Sequence, residues 1–155
     1  KPLLKKNNLY EVINENINLL SKMDPEINIK LINHLPKDNY INFDYEQFNR
    51  IFFNLIKNSM ESIQENTQKG NKIDKNIDIE IRGRRDYIII NLFDTGIGFK
   101  NKNTKDLIKP YFTTKEKGTG LGLSIVDKII SDHNGSINFS NHKNGAKIQI
   151  IIPKN

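Results

Sequence analysis

Ile77-Asp-Ile-Glu-Ile-Arg-Gly-Arg-Arg-Asp-Tyr-Ile-Ile-Ile-Asn-Leu-Phe-Asp-Thr-Gly-Ile-Gly98 is the stretch from which the rest of the chain can be read. Ile77, Ile79 and Ile81 alternate with polar residues, the period of a strand with one buried face. Tyr87–Phe93 is a second extended run, and Gly83–Asp86 between the two reads as a hairpin turn. The second strand ends on a carboxylate, Asp94, followed by Thr95 and by two glycines, Gly96 and Gly98, around Ile97. Glycine at a strand end lets the backbone approach a ligand closely. An Asp placed there can accept a hydrogen bond from an exocyclic amine such as adenine N6.

Upstream, Leu9, Val12, Ile13, Ile17 and Leu20 recur at helical spacing, and Pro25 stops that helix. Residues 27–33 alternate as a strand, and Tyr40–Phe43 reads as a short second one. Asp44 is placed as an N-cap. Phe48, Ile51, Phe52, Leu55, Ser59 and Ser62 form the buried stripe of a long helix over about 45–66. Downstream, 94–118 has little periodicity and is long for a structureless loop, which points to function. Gly118–Leu123 leads into a helix reaching about Asp132, with Gly135 as its C-cap. Ile137–Ser140 and Ala146–Ile152 are two further strands joined at Asn144-Gly145. Hairpin-linked strands mixed with helices predict an α+β fold, a mixed sheet covered on one face by helices. The other face is open to solvent or to a partner.

The chain has 155 residues, a size for one domain, and its 36% hydrophobic content suffices for one core. With no cysteine, it has no disulfide framework, no Cys-based zinc site and no thiol nucleophile. No apolar run approaches the roughly 20 residues a membrane-spanning helix needs. The net charge of +6 comes from lysines scattered along the chain. Arg82-Gly-Arg-Arg85, the one dense cluster, falls in the hairpin turn, so the charge is read as a solvated surface rather than a nucleic-acid footprint. Residues 1–8 read as a linker, and the whole as part of something longer.

Four segments carry chemistry. Asn54 and Asn58 lie four apart on the long helix and so share one face. Asn lowers helix propensity, and two together can offer oxygens to Mg²⁺; they are equally explained by a chain that uses Asn throughout. Asp94–Gly98 is a ligand-approach loop or a plain turn. Asp-Thr-Gly also marks aspartic proteases, but that chemistry shares one proton between two carboxylates. The chain has a single Asp-Thr-Gly, so a homodimer would be required. Pro110-Tyr-Phe-Thr-Thr-Lys115 places an aromatic anchor and a lysine in the long loop. Gly118-Thr119-Gly120-Leu121-Gly122-Leu123 opens a helix, where orphan N–H groups attract anions. It is neither a Walker loop nor a Rossmann fingerprint.

Taken in this order, the four resemble the GHKL superfamily of ATPases, and within it the catalytic ATP-binding domain of bacterial sensor histidine kinases, most like the nitrogen-regulation sensors. Asn54–Asn58 looks like the N box, Asp94–Gly98 the G1 box, Pro110–Lys115 the F box and Gly118–Leu123 the G2 box. The resemblance implies the two-layer α/β sandwich of the Bergerat fold, with 9–155 as the catalytic domain and a flexible lid at about 99–117. Residues 1–8 would lead in from an absent dimerisation and phosphoacceptor segment.

The resemblance also assigns roles. Asp94 takes the adenine amine, and Gly96, Ile97 and Gly98 border the base. Ile108 and Leu123 join Ile97 as pocket walls. Asn58 holds Mg²⁺ with support from Asn54. Lys115 and the N–H groups of Gly118, Thr119, Gly120, Leu121, Gly122 and Leu123 hold the phosphates of ATP. Relatives that hydrolyse ATP, and the anti-sigma-factor serine kinases, carry Glu where this chain has Asn54. Asn cannot act as a base, which favours transfer to an already nucleophilic histidine. Glu61 stands where many of these kinases have Lys; it is either a γ-phosphate neighbour or a surface carboxylate.

His34, His133 and His142 lack the acidic residue that follows a phosphoacceptor histidine. His34 and His133 are therefore expected at the surface, and the acceptor outside the chain. Expected partners are the dimerisation and phosphoacceptor helices of the parent kinase and a response regulator. Nucleic acid and direct membrane contact are not expected. The fragment is expected to be monomeric and cytoplasmic, within a parent anchored in the inner membrane. A stand-alone anti-sigma-type serine kinase and a nucleotide-binding module without transfer are the rival readings.

Overall fold

The computed structural model describes residues 1–100, 104–109 and 122–154. Three short segments open it: strand β1 (Lys5–Asn7), helix α1 (Leu9–Leu20) and strand β2 (Asn28–Asn33). Strand β3 (Ile41–Phe43) leads into the 24-residue helix α2 (Tyr45–Gln68). The hairpin read from the sequence is β4 (Asn76–Gly83) and β5 (Tyr87–Asp94). Helix α3 (Gly122–Asp132) precedes the closing hairpin, β6 (Ser136–His142) and β7 (Gly145–Pro153).

The main sheet has the order β2-β4-β5-β7-β6, with β2 parallel to β4 and every other pair antiparallel. It is the mixed sheet that the sequence implies. One face is a field of isoleucine and leucine in register: Ile81 opposite Ile90, Ile90 opposite Ile150, Leu92 opposite Ile148. These side chains are all buried, together with Leu9, Val12, Ile13, Phe48, Phe52, Leu55 and Val126 from the three helices. The opposite face is half-buried and largely polar, with Arg82 paired to Glu80 and Gln149 hydrogen-bonded to Asn91. Among the described residues no helix is long and apolar enough to cross a membrane.

Asn8 caps α1 by accepting from Glu11 N–H at 3.2 Å. Asp44 caps α2, Oδ1 accepting from Gln47 N–H at 3.1 Å and Oδ2 from Leu3 N–H at 2.7 Å. Each cap meets N–H groups that the helix leaves without a partner.

Four local expectations are corrected. Within 1–8, residues 5–7 are not irregular but pair with β3, Lys5 opposite Phe43 and Asn7 opposite Ile41. Three residues are too few to show a period, so only the partner strand reveals them. The 94–118 stretch contains a 3₁₀ turn, Thr104–Ile108, that packs against α3. The end of α3 is a Schellman motif in which Asn134, at φ 61°, is the left-handed residue. Gly135 is the next one, its N–H donating to Ile130 O at 2.9 Å while Asn134 N–H donates to Ser131 O. Glycine is needed there because a Cβ would lie 2.5 Å from Ile151 O.

His133 is the fourth. It is not a surface residue but is buried against Phe48, with ring centroids 4.6 Å apart. Its Nδ1 donates to Ile129 O at 2.8 Å, and its Nε2 accepts from Asp44 N–H at 3.1 Å. The imidazole thus ties the end of α3 to the start of α2. Replacing His133 with alanine removes a buried ring and leaves the half-buried Asp44 N–H unpaired, and a loss of about 1–3 kcal/mol in urea unfolding is expected.

Candidate functional site

The centre of the site is the end of β5. Asp94 is 3% exposed, a burial that a carboxylate sustains only with partners. Its Oδ1 accepts from Gly96 N–H at 2.9 Å and from Ala146 N–H at 3.3 Å. The Ser59 hydroxyl on α2 is a further hydrogen-bond partner. Burial pushes the Asp94 carboxyl above the ordinary aspartate range, against Ser59, the two backbone N–H groups and the His142 imidazole, which pull it down.

The loop after Asp94 lies directly on α2. A Cβ at Gly96 would fall inside contact distance of Ser62 Oγ and 2.6 Å from Ser62 Cβ, so only glycine fits. Ile97 N–H donates to Ser62 Oγ at 2.9 Å, and Asn66 Nδ2 donates to the carbonyls of Thr95 and Gly96 at 3.0 and 3.3 Å. Thr95 fastens the loop to β4, its hydroxyl accepting from Asn76 N–H at 3.0 Å. Gly98 takes a left-handed φ of +75°, which glycine adopts without steric cost. A groove of about 650 Å³ opens beside this loop, bordered by Asn66, Gly96, Gly98 and the β6–β7 turn.

One turn separates Asn54 from Asn58 on α2, and both are half-buried. Asn54 Nδ2 donates to Arg50 O at 2.8 Å. Its Oδ1 faces the first residue of α3, where a Cβ on Gly122 would stand 3.2 Å away. The fold therefore unites Asn54 with Gly122, and Asp94 with Ser59, the neighbour of Asn58. Leu123 packs half-buried against the core. Glu61 is half-buried on the same helix. Lys115, Gly118, Thr119, Gly120 and Leu121, and with them the whole Pro110–Lys115 segment, lie outside the described residues.

Sequence reasoning missed the polar line Ser59, Ser62 and Asn66, counting the serines as part of an apolar stripe. Their spacing of three and four residues along an otherwise apolar helix face was the available signal. It also missed Ala146, Asn141 and His142, which reach the site only through the pairing of β5 with β7.

A mixed sheet with helices on one face, a buried aspartate at the end of β5 and two asparagines one turn apart on α2 form the arrangement that the sequence resemblance implies for an ATP-binding domain of the histidine kinase type. The chain belongs to the family described as histidine kinase-, DNA gyrase B-, and HSP90-like ATPases, whose model matches residues 43–155. Sensor protein TdiS of Thauera aromatica is 31% identical over 151 residues, covering 94% of this chain and 27% of that protein. Nitrogen regulation protein NtrY of Azorhizobium caulinodans is 29% identical over 145 residues, 94% of this chain and 18% of that protein. The chain thus spans little more than a quarter, at most, of these curated relatives. The catalytic domain of histidine kinase ThkA superposes with a TM-score of 0.83 at 27% identity, over 97% of this chain and 95% of that one. The same kinase in complex with response regulator TrrA superposes with a TM-score of 0.80 at 24% identity, over 98% of this chain and 42% of that one.

Proposed function

We propose that this chain binds Mg-ATP and donates its γ-phosphoryl group to a histidine supplied from outside residues 1–155, for relay to a response regulator. The observation that carries the reading is Asp94. A carboxylate kept buried by backbone N–H groups, followed by glycines that let its loop lie tight against α2 and β6, suits a base bearing an exocyclic amine. In this reading Asp94 accepts that amine, while Ile97 and Leu123 border the ring.

Asn58 and Asn54 are the residues that would hold Mg²⁺. Asn54 is suited to it, since its Nδ2 is committed to Arg50 O and its oxygen is turned toward the start of α3. Among the described residues no group of three His, Asp or Glu side chains could hold a metal. Mg²⁺ commonly takes one or two protein oxygens, which the two asparagines could supply, and completes its shell with phosphate and water. When bound, the ion neutralises charge on the transferring phosphoryl group.

The chain's own work is positioning. Orphan N–H groups at the start of α3 face the phosphates. Lys115 and the 118–121 amides are assigned the same task from the family pattern. Asn54 cannot take a proton, so the attacking group must already be nucleophilic, as an imidazole nitrogen is. The new N–P bond forms as the bond from the γ-phosphorus to the bridging oxygen breaks, and ADP leaves.

The three histidines here are otherwise engaged: His34 with Glu80, His133 with Asp44 and Ile129, His142 with Asp94. This supports an external acceptor. The response regulator is then the downstream partner.

Calorimetric titration of AMP-PNP, with and without Mg²⁺, tests the reading. Binding should strengthen with Mg²⁺, and Asn58→Ala should remove most of that gain, roughly tenfold in Kd for one lost oxygen contact to a charged centre. Equal affinity in EDTA, or an unaffected Asn58→Ala protein, would overturn the metal assignment. A folded domain that binds no adenine nucleotide would overturn the whole.

A further inference from the structure

The turn between β6 and β7 touches the Asp94 loop at three points. At the near end, a Cβ on Gly145 would fall inside contact distance of Asp94 O. Beside it, His142 Nε2 lies 3.0 Å from that same carbonyl, so Nε2 carries the hydrogen and donates it. At the far end, Asn141 meets Phe99 with both atoms of its amide. Its Oδ1 accepts from Phe99 N–H at 2.7 Å, and its Nδ2 donates to Phe99 O at 2.9 Å. Such a bidentate contact to one residue mimics a neighbouring strand where the sheet itself has ended, since β5 stops at Asp94. Gly98 is shaped to it, because a Cβ there would stand 2.8 Å from Asn141 Oδ1. The Phe99 ring adds an edge contact to Phe139 on β6, with centroids 5.6 Å apart.

We propose that Asn141 is a positioning residue for nucleobase recognition: its side-chain amide clamps Phe99 and so fixes the loop that joins Asp94 to Gly98. The sheet does not need this side chain, since backbone pairing already sets Asn141 opposite Ala146 and His142 opposite Gly145. Ala146 in turn donates to Asp94 Oδ1, so one turn holds the recognition carboxylate and the far end of its loop together. Clamped at both ends, the loop keeps Gly96 on Ser62 and the carboxylate at a constant height above α2. The inference rests on the nucleotide reading of Asp94.

The test uses this domain with Asn141→Ala and the isosteric Asn141→Asp, titrated with Mg-AMP-PNP and with the guanine analogue. Asn141→Ala loses both bonds. Asn141→Asp keeps the acceptor for Phe99 N–H but sets a carboxylate against Phe99 O. Both should weaken adenine-nucleotide binding about tenfold. They should weaken the guanine analogue less, so the adenine preference shrinks, and hydrogen exchange at Phe99 N–H should speed up. A role limited to packing would leave the isosteric Asp variant like the wild type and would leave the base preference alone. Wild-type binding with both variants within twofold and the preference unchanged would overturn this inference alone. A wild-type domain that binds no adenine nucleotide would overturn the nucleotide reading, and this inference with it.

Discussion

Asp94→Asn is expected to lower adenine-nucleotide affinity by roughly a hundredfold, while the protein at neutral pH becomes no less stable. A hydrogen bond to a charged acceptor is worth about 1.5–3 kcal/mol, which spans roughly tenfold to more than a hundredfold in Kd. The upper end applies because an asparagine cannot satisfy both sides. If its oxygen keeps the Gly96 and Ala146 N–H groups, its NH₂ adds a donor beside the base amine. If it turns over, the NH₂ meets two backbone donors.

Stability moves the other way. Burial raises the Asp94 carboxyl above its unfolded value despite its hydrogen bonds. Between those two values the folded protein holds a proton that the unfolded chain releases, so stability falls as pH rises through that window. Above the window the ionised carboxylate costs stability, and asparagine removes that cost. The variant should therefore show a flatter pH dependence in weak acid and an unchanged or higher melting temperature at pH 7. Calorimetry and thermal melts over a pH series check both halves. A variant that binds normally, or that loses stability at neutral pH, would separate Asp94 from the role given it.

Gly145→Ala should damage both fold and site. The added Cβ would fall inside contact distance of Asp94 O, 3.0 Å from Asp94 C and 3.1 Å from its Oδ1. These are mainly backbone atoms of a paired strand, so no side-chain rotation relieves the clash and β5 must part from β7 at that end. Overpacking of this kind costs about 1–3 kcal/mol, and the shift falls on the carboxylate itself. The expected result is a lower denaturant midpoint together with loss of nucleotide binding. Gly83→Ala is the comparison: there the nearest atom, 2.6 Å away, is Leu35 Cδ2, the end of a flexible side chain. It should cost less and leave binding untouched. Equal effects from the two substitutions would remove the argument from close approach.

Local pattern was enough wherever the physics is local. The isoleucine alternation of 77–81 and 146–152, the 3.6-residue stripe from Phe48 to Leu55 and the Asp44 cap all follow from one chain's own periodicity. The ordered set of motifs points to a nucleotide site only through its resemblance to a known family, because each short run taken alone also fits a plain turn or helix face. The errors lie where a partner decides. Strand β1 has three residues and no period, and exists through β3. His133 looks like a helix-end residue in sequence and is buried only because Phe48 and the start of α2 lie against it. Gly135 reads as the C-cap of α3 in sequence, whereas Asn134 takes the left-handed conformation there and Gly135 answers to Ile151 across the sheet.

By itself, the sequence determined the class of fold and, through its resemblance, the family, and it singled out Asn54, Asn58 and Asp94 as candidates, since strand and helix periods and short motifs are properties of neighbours along the chain. Tertiary structure alone decided what surrounds them: Ser59 against Asp94, Gly122 over Asn54, and Asn141 on Phe99. Those contacts join residues tens of positions apart, and no period in the sequence encodes which of many asparagines or serines will meet a given carboxylate. The sheet does so, because pairing β5 with β7 carries the β6–β7 turn to the end of the strand where Asp94 is buried.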